Sequence, residues 1–359
     1  MAGAKVWKAL FVMFVSMALV AVPFVSADTE ANSGGQFSIG AVAPQVTDVK
    51  FYEQDGKTET TQATPGNKYW INITVSDLNT MDDIKEITIW FYYDTDNTQA
   101  GGLPAGDTSS SSYVILKYVR TPYSDQPGTW KFYDATGSEI GTTFGTWQIV
   151  NQSDPDVWEQ STGTFSVEII VGKTAKEAND GVATGDWDFQ VKVIDDSNSE
   201  SDPYTGYGYT INWYGEIYVT PNFAFGIVSP QSNNNPVTSP NTGYLDVYVV
   251  SNGNYDVNVK SDTQWIGVTD STGYVNVTTA TPGDKKILLK INANNDAGSA
   301  SAIATTYTVW LDNQNGPTGD GDASAGNGAH HYAYLWLDVG SNIAQDTYVG
   351  HVYFQVTNA

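Results

Sequence analysis

The sequence predicts an all-β chain: two consecutive β-sandwiches behind a short N-terminal targeting segment. Three observations carry that prediction. Trp187, Phe189, Val191 and Val193 alternate with Asp188, Gln190 and Lys192, the period-2 pattern of a strand with one buried face. Similar short runs recur along the chain between Gly, Pro, Asn and Asp turn residues. No long stretch after the N-terminal segment carries helical periodicity.

Residues 1–27 read as a cleaved signal peptide. Lys5 and Lys8 form a positive start, Ala9 to Val25 is apolar, and Val25-Ser26-Ala27 is a small-residue cleavage site. The two lysines leave with it, so the formal net charge of −24 becomes −26. No later run is apolar enough to span a bilayer. The chain ends at Ala359 directly after a strand pattern, so no C-terminal anchor is expected.

Residues 28–44 form a polar N-terminal arm in which Phe37, Ile39 and Ala41 alternate with Ser38 and Gly40. Two readings stand: a flexible terminus lying on its own domain, or a donor arm that adds a strand to a neighbouring subunit.

Residues 45–214 make the first predicted sandwich. Val49 and Phe51 sit in an opening strand, and Tyr69, Ile71, Ile73 and Val75 share one face of the next. Ile87, Ile89, Phe91 and Tyr93 alternate with Thr88, Trp90 and Tyr92, so this strand is expected to be covered on both sides. Short aromatic segments at 113–119, 129–133 and 146–150 follow, then Phe165 to Val171. Lys173 to Asn179 carries a brief helical pattern and reads as a crossover loop. The Trp187 strand and a strand from Tyr207 to Trp213 complete the unit. Residues 215–359 make the second sandwich, with Leu245, Val247 and Val249 in one strand and Tyr255, Val257 and Val259 in the next. Asn252-Gly253 between them reads as a hairpin turn. The pattern ends in Leu335, Leu337 and Val339, then Val352, Phe354 and Val356.

Composition excludes several functions. With 16 basic and 40 acidic residues the surface repels nucleic acid and anionic lipid. Arg120 is the only arginine. The absence of cysteine removes disulfides, thiolate metal sites and cysteine nucleophiles. There is no G-x-S-x-G elbow, H-E-x-x-H helix or phosphate-binding glycine loop. The expectation is therefore not an enzyme, the remaining enzymatic alternative being glycoside chemistry on paired carboxylates.

The leading site candidate is acidic. In an immunoglobulin-like sandwich the B–C and F–G loops share one end. With Tyr69–Ser76 as strand B and the Trp187 strand as F, that end gathers Asp77, Asp82 and Asp83 with Asp195 and Asp196. Several carboxylates on two loops suit calcium, and solvated turns are the competing reading. No other cofactor is implied. Asp94-Thr95-Asp96-Asn97 is a weaker acidic turn. Gly319 to Asp322 with His330-His331 is a weak metal candidate, because neighbouring strand residues face opposite ways. Asn72, Asn151 and Asn276 open N-x-S/T sequons and are candidate glycosylation sites. Trp90, Tyr92, Trp130, Tyr133, Tyr334 and Trp336 are candidates for stacking on sugar rings.

Residues 44–52 (PQVTDVKFY), 74–84 (TVSDLNTMDDI) and 186–196 (DWDFQVKVIDD) resemble the immunoglobulin/fibronectin-III-like domains of secreted archaeal and bacterial surface proteins. Residues 225–230 (FGIVSP), 251–259 (SNGNYDVNV) and 346–356 (DTYVGHVYFQV) resemble the β-sandwich of surface and matrix-filament proteins. The resemblance implies an extracellular, cell-surface-associated structural role. Its partners would be further copies or other envelope and matrix proteins. A carbohydrate-binding adhesin is the alternative.

Overall fold

The computed structural model describes residues 35–95, 109–124, 126–178, 185–318 and 322–359. The signal-peptide reading of residues 1–27, Asp96-Asn97, and Gly319 to Gly321 lie outside them.

The chain is all-β, with two short 3-10 turns as its only helical elements among the described residues. The first half comprises β1 (Gln45–Glu53), β2 (Gln62–Ala63), β3 (Lys68–Ser76), β4 (Ile84–Asp94), β5 (Tyr113–Val119) and β6 (Thr129–Tyr133). It continues through β7 (Glu139–Gly141), β8 (Thr143–Phe144), β9 (Trp147–Ser153), β10 (Thr162–Ile170), β11 (Asp186–Asp195) and β12 (Tyr204–Ile211). One sheet has the order β1-β3-β10-β9-β8 and the facing sheet the order β2-β12-β11-β4-β5-β6-β7. With β1, β3, β10 and β9 as strands A, B, E and D, and β4, β11 and β12 as C, F and G, the sheets read A-B-E-D and G-F-C. That is the immunoglobulin-like arrangement.

The burial of β3 alternates strictly, hiding Tyr69, Ile71, Ile73 and Val75. These face Ile87, Ile89, Trp187, Val191 and Val193 across the core. The opposite face of the larger sheet is also covered at one end, where Tyr92, Tyr113 and Ile115 cluster with Trp90 and Tyr133. Asp188, in register with Tyr92, is buried there rather than solvated. Lys173 to Ala178 forms turns and no helix.

The second half runs through β13 (Gly215–Val219), β14 (Asn235–Pro236), β15 (Leu245–Ser251), β16 (Tyr255–Ser261), β17 (Gln264–Gly267) and β18 (Tyr274–Val277). Then come β19 (Lys286–Asn292), β20 (Ser301–Ala302), β21 (Thr308–Gln314), β22 (Ala329–Val339), β23 (Tyr348–Val349) and β24 (Val352–Asn358). This sandwich is unequal. A nine-stranded sheet follows the path β13-β15-β22-β19-β18-β17-β23, and only the three strands β21-β16-β24 face it. Asn252-Gly253 is not a hairpin turn. β15 pairs with β13 and β22 while β16 pairs with β21 and β24, so the chain crosses there from one sheet to the other.

That crossing is the junction between the halves. Asn252 is fully buried, and its amide donates to Ala175 O and Asn212 O at 2.9 Å each while accepting from Tyr214 N–H at 2.6 Å. Lys173 pairs with Glu216 at 2.7 Å alongside.

Strand register orients the rest. β3 pairs Lys68 with Ile170 near this junction and Ser76 with Thr162 at the far tip. In the second half β15 reaches the junction at Ser251, so the Val339 end of β22 and the Ser261 end of β16 point away from it. Strands of this length rise about 3.3 Å per residue, which sets the two tips roughly 60 Å apart.

Candidate functional site

The far tip of the first half carries the acidic cluster. Asp77 follows β3 directly, Asp83 closes a 3-10 turn over Met81–Asp83, and Asp195 ends β11. The three therefore come from both sheets. Asp195 lies in register with Ile84, next to Asp83. One carboxylate oxygen from each of Asp77, Asp83 and Asp195 lies within 4.8 Å of the others.

All three side chains are removed from water, at 1%, 4% and 0% exposure for Asp77, Asp83 and Asp195. Two of them accept from backbone amides. Asp77 Oδ1 accepts from Asn79 N–H at 2.7 Å and Asp195 Oδ1 from Ser199 N–H at 2.7 Å. Asp77 Oδ2, Asp83 Oδ1 and Asp195 Oδ2 are buried with no donor. Burial, then the charges of Asp77 and Asp195, push the Asp83 carboxyl up to about 7. Burial also raises Asp77. Two like charges ~4 Å apart at an effective dielectric of ~20 repel by about 4 kcal/mol, so three bare carboxylates here require a counter-charge or a proton.

No side-chain cation pairs with this triad among the described residues. Arg120, buried beside it, is held elsewhere. Its guanidinium donates to Asp82 Oδ1 and Asp82 O at 2.9 Å each and to Ser124 O at 2.6 Å. It also stacks over Trp158 at 3.6 Å. Lys85 reaches Asn198 Oδ1 instead.

The sequence candidates thus divide. Asp77, Asp83 and Asp195 converge. Asp82 turns away to Arg120 because successive residues of a 3-10 turn, with three residues per turn, point about 120° apart. Asp196 is exposed and meets Asp83 through its backbone N–H, donated to Asp83 O at 2.8 Å. Asp82 and Asp196 are therefore removed from the ligand set.

Other candidates fall in separate places. His330 meets Asp246 at 3.1 Å and His331 meets Tyr255 OH at 2.6 Å, on opposite faces of β22. Asp322 caps the short turn at Ala323–Ala325. Among the described residues, Asp322, His330 and His331 form no common metal centre. Asn151 is exposed, while Asn72 and Asn276 are half-buried on their strands. Of the sugar-stacking candidates, Tyr92, Trp130 and Trp336 are buried and carry no exposed stacking face. A partly exposed aromatic cluster lies on the outer face of the second half, where Tyr244 packs on Tyr332 at 4.6 Å and on Tyr334 at 5.4 Å.

Two features lie at opposite tips. Residues 35–44 carry no strand, and Phe37 and Ile39 are 85% and 77% exposed. The arm is rooted at the acidic tip, where Val42 N–H donates to Asn79 Oδ1 at 2.7 Å and Asn79 Nδ2 donates to Gly40 O at 3.3 Å. At the far tip of the second half a cleft of about 940 Å³ opens between the larger sheet and the segments 223–230 and 343–347. Phe225, Trp265, Val275, Ile287, Leu337 and Val339 line it, where the three-stranded sheet does not cover the larger one. Ile227 and Val349 stand exposed at its rim.

No protein-family model matches the chain, and no curated protein matches it. Solved structures give distant likenesses. A chain of the chaperone–tip adhesin complex of CFA/I fimbriae is 11% identical over 83% of this chain and 95% of that one, with a TM-score of 0.26. BcpA, the major pilin subunit of Bacillus cereus, is 11% identical over 74% of this chain and 65% of its own, with a TM-score of 0.19. Dimeric latent PorU from Porphyromonas gingivalis is 8% identical over 88% of this chain and 32% of its own, with a TM-score of 0.12. At such scores the likenesses carry no argument about function.

Proposed function

We propose that the protein is an extracellular, non-enzymatic structural protein that assembles head to tail, each N-terminal arm seating in the cleft of another copy. The carrying observation is the pairing of an exposed apolar arm at one tip with an uncovered apolar cleft at the other. Phe37, Ile39 and Ala41 fall on one face of an extended strand, which suits laying that face on the uncovered apolar face of the larger sheet. Residues 28–41 span at most roughly 49 Å when fully extended, short of the roughly 60 Å to the cleft of the same molecule. The contact is then between molecules. A heterologous contact whose two surfaces sit at opposite ends generates an open filament. The acidic, cysteine-free composition suits a protein outside the cell, kept soluble by charge and stable by its cores.

Light scattering after size exclusion and negative-stain imaging test this. Concentration-dependent linear oligomers are expected from the unaltered protein, and monomers from Phe37→Asp with Ile39→Asp. Monomers in both, across concentrations, would reject the reading.

A second reading rests on the tyrosine strip of the second half. Tyr332, 43% exposed and packed on Tyr244, offers a ring face to a sugar. Polysaccharide binding that is lost in Tyr332→Ala would favour an adhesin, and no binding to any tested polysaccharide would remove it.

A further inference from the structure

We infer that Asp77, Asp83 and Asp195 form a calcium site that ties the two sheets of the first sandwich together at its far tip. Each residue offers one converging carboxylate oxygen, and each also has a buried oxygen without a donor: Asp77 Oδ2, Asp83 Oδ1 and Asp195 Oδ2. The converging oxygens lie no farther apart than 4.8 Å. Oxygens on one calcium ion are separated by no more than about 4.6–5.2 Å, twice the calcium–oxygen distance.

The donor set selects the ion. It is all carboxylate oxygen, with no histidine in the cluster and no cysteine in the chain. That favours a hard cation over zinc or copper. The three ligands come from two sheets and a 3-10 turn, and calcium tolerates irregular ligand geometry better than magnesium does. Water completes the six to eight oxygens that calcium takes. Among the described residues the nearby cations are engaged elsewhere: Arg120 is bound to Asp82 and stacked on Trp158, and Lys85 donates to Asn198. A divalent ion leaves one net negative charge where three stood.

The site does not depend on the assembly proposed above, and its test is arranged so that either can fail alone. Calcium is titrated by calorimetry into chelator-treated protein carrying Phe37→Asp and Ile39→Asp, with magnesium in a parallel arm. The expected result is one calcium per chain, bound more tightly than magnesium. Asp83→Asn and Asp195→Asn, which preserve shape and remove charge, weaken calcium binding by roughly tenfold or more. Asp196→Asn leaves it unchanged. In EDTA the Asp83→Asn protein melts at or above the parent temperature, because it lacks one of the mutually repelling charges. A site serving only as a hydrogen-bonded turn would instead lose stability. No calcium uptake would overturn the inference. So would uptake unaffected by Asp83→Asn with Asp195→Asn, or binding that follows Asp196.

Discussion

Asp82 and Asp83 are adjacent, yet Asp82 meets Arg120 at 2.9 Å while Asp83 faces two other carboxylates. The short turn over Met81–Asp83 divides them. One side receives the chain's lone arginine and the other is left acidic. Arg120 has no exposed side-chain surface and makes three hydrogen bonds besides its stack on Trp158. Arg120→Lys keeps the charge but loses the planar fork and the stacking. A loss of about 2–3 kcal/mol in chemical denaturation is expected, from charged hydrogen bonds worth ~1.5–3 kcal/mol each, partly regained by the lysine. Calcium stoichiometry should not change.

Asn79 couples the acidic loop to the arm. Its backbone N–H holds Asp77 while its side chain holds Val42 and Gly40. Ordering Asp77 on a metal therefore orders the root of the arm. Oligomer formation, followed by light scattering, should strengthen on calcium addition and fall in EDTA. Asn79→Ala should break that dependence, since its backbone still serves Asp77 while the arm is released. Calorimetric calcium binding should persist in Asn79→Ala.

The fold was largely legible from period-2 patterns, because one-sided burial writes itself into alternation, as in β3 and β11. The acidic tip was legible through topology: naming strands B and F brought Asp77, Asp83 and Asp195 together. What was not legible depends on direction and partner. Asp82 and Asp83 look alike in sequence, and only the turn sends one to Arg120. Asn252-Gly253 has the letters of a hairpin turn, yet the strands on either side belong to different sheets. Its real determinant, the acceptors Ala175 O and Asn212 O, lies in another part of the chain. Trp336 alternates like a surface residue but is covered, because β14 pairs beside it.

Asn252 should control how the halves unfold. Replacing it with alanine removes the bonds to Ala175, Asn212 and Tyr214 and leaves those backbone groups buried. Unsatisfied buried groups cost about 1–3 kcal/mol each, so a loss of about 2–4 kcal/mol is expected after partial relaxation. Calorimetry should show one transition in the parent splitting towards two in Asn252→Ala, as each sandwich melts on its own core.

His331 gives a pH dependence of definite sign. Burial, then the neighbouring His330, lowers its pKa below the usual histidine value, with Asp246 opposing. The unfolded chain therefore takes up a proton at higher pH than the folded one. Its neutral form is compatible with full stability above about 6.5, and stability falls as pH drops through and below that value. Denaturant midpoints measured from pH 7.5 to 5 should fall less steeply in His331→Gln than in the parent. Parallel slopes would show that His331 does not titrate in this range.

Absence of cysteine allows a direct test of where the arm goes. Ile39→Cys places one thiol on the arm and Val349→Cys places the other on the exposed rim of the cleft. Within one molecule these positions are farther apart than the arm can reach, so oxidation should link different molecules. A disulfide forms only where the two Cα atoms approach to about 4.4–6.8 Å. Under mild oxidation the doubly substituted protein should give a ladder of linear multimers on non-reducing gels. Each single variant should give dimers at most. Moving the arm thiol to Ser38, on the opposite face of the extended arm, should weaken the ladder, because alternate side chains of an inserted strand point away from the rim. An intramolecular bond, read as a fast-migrating monomer, would show instead that the arm folds back on its own chain.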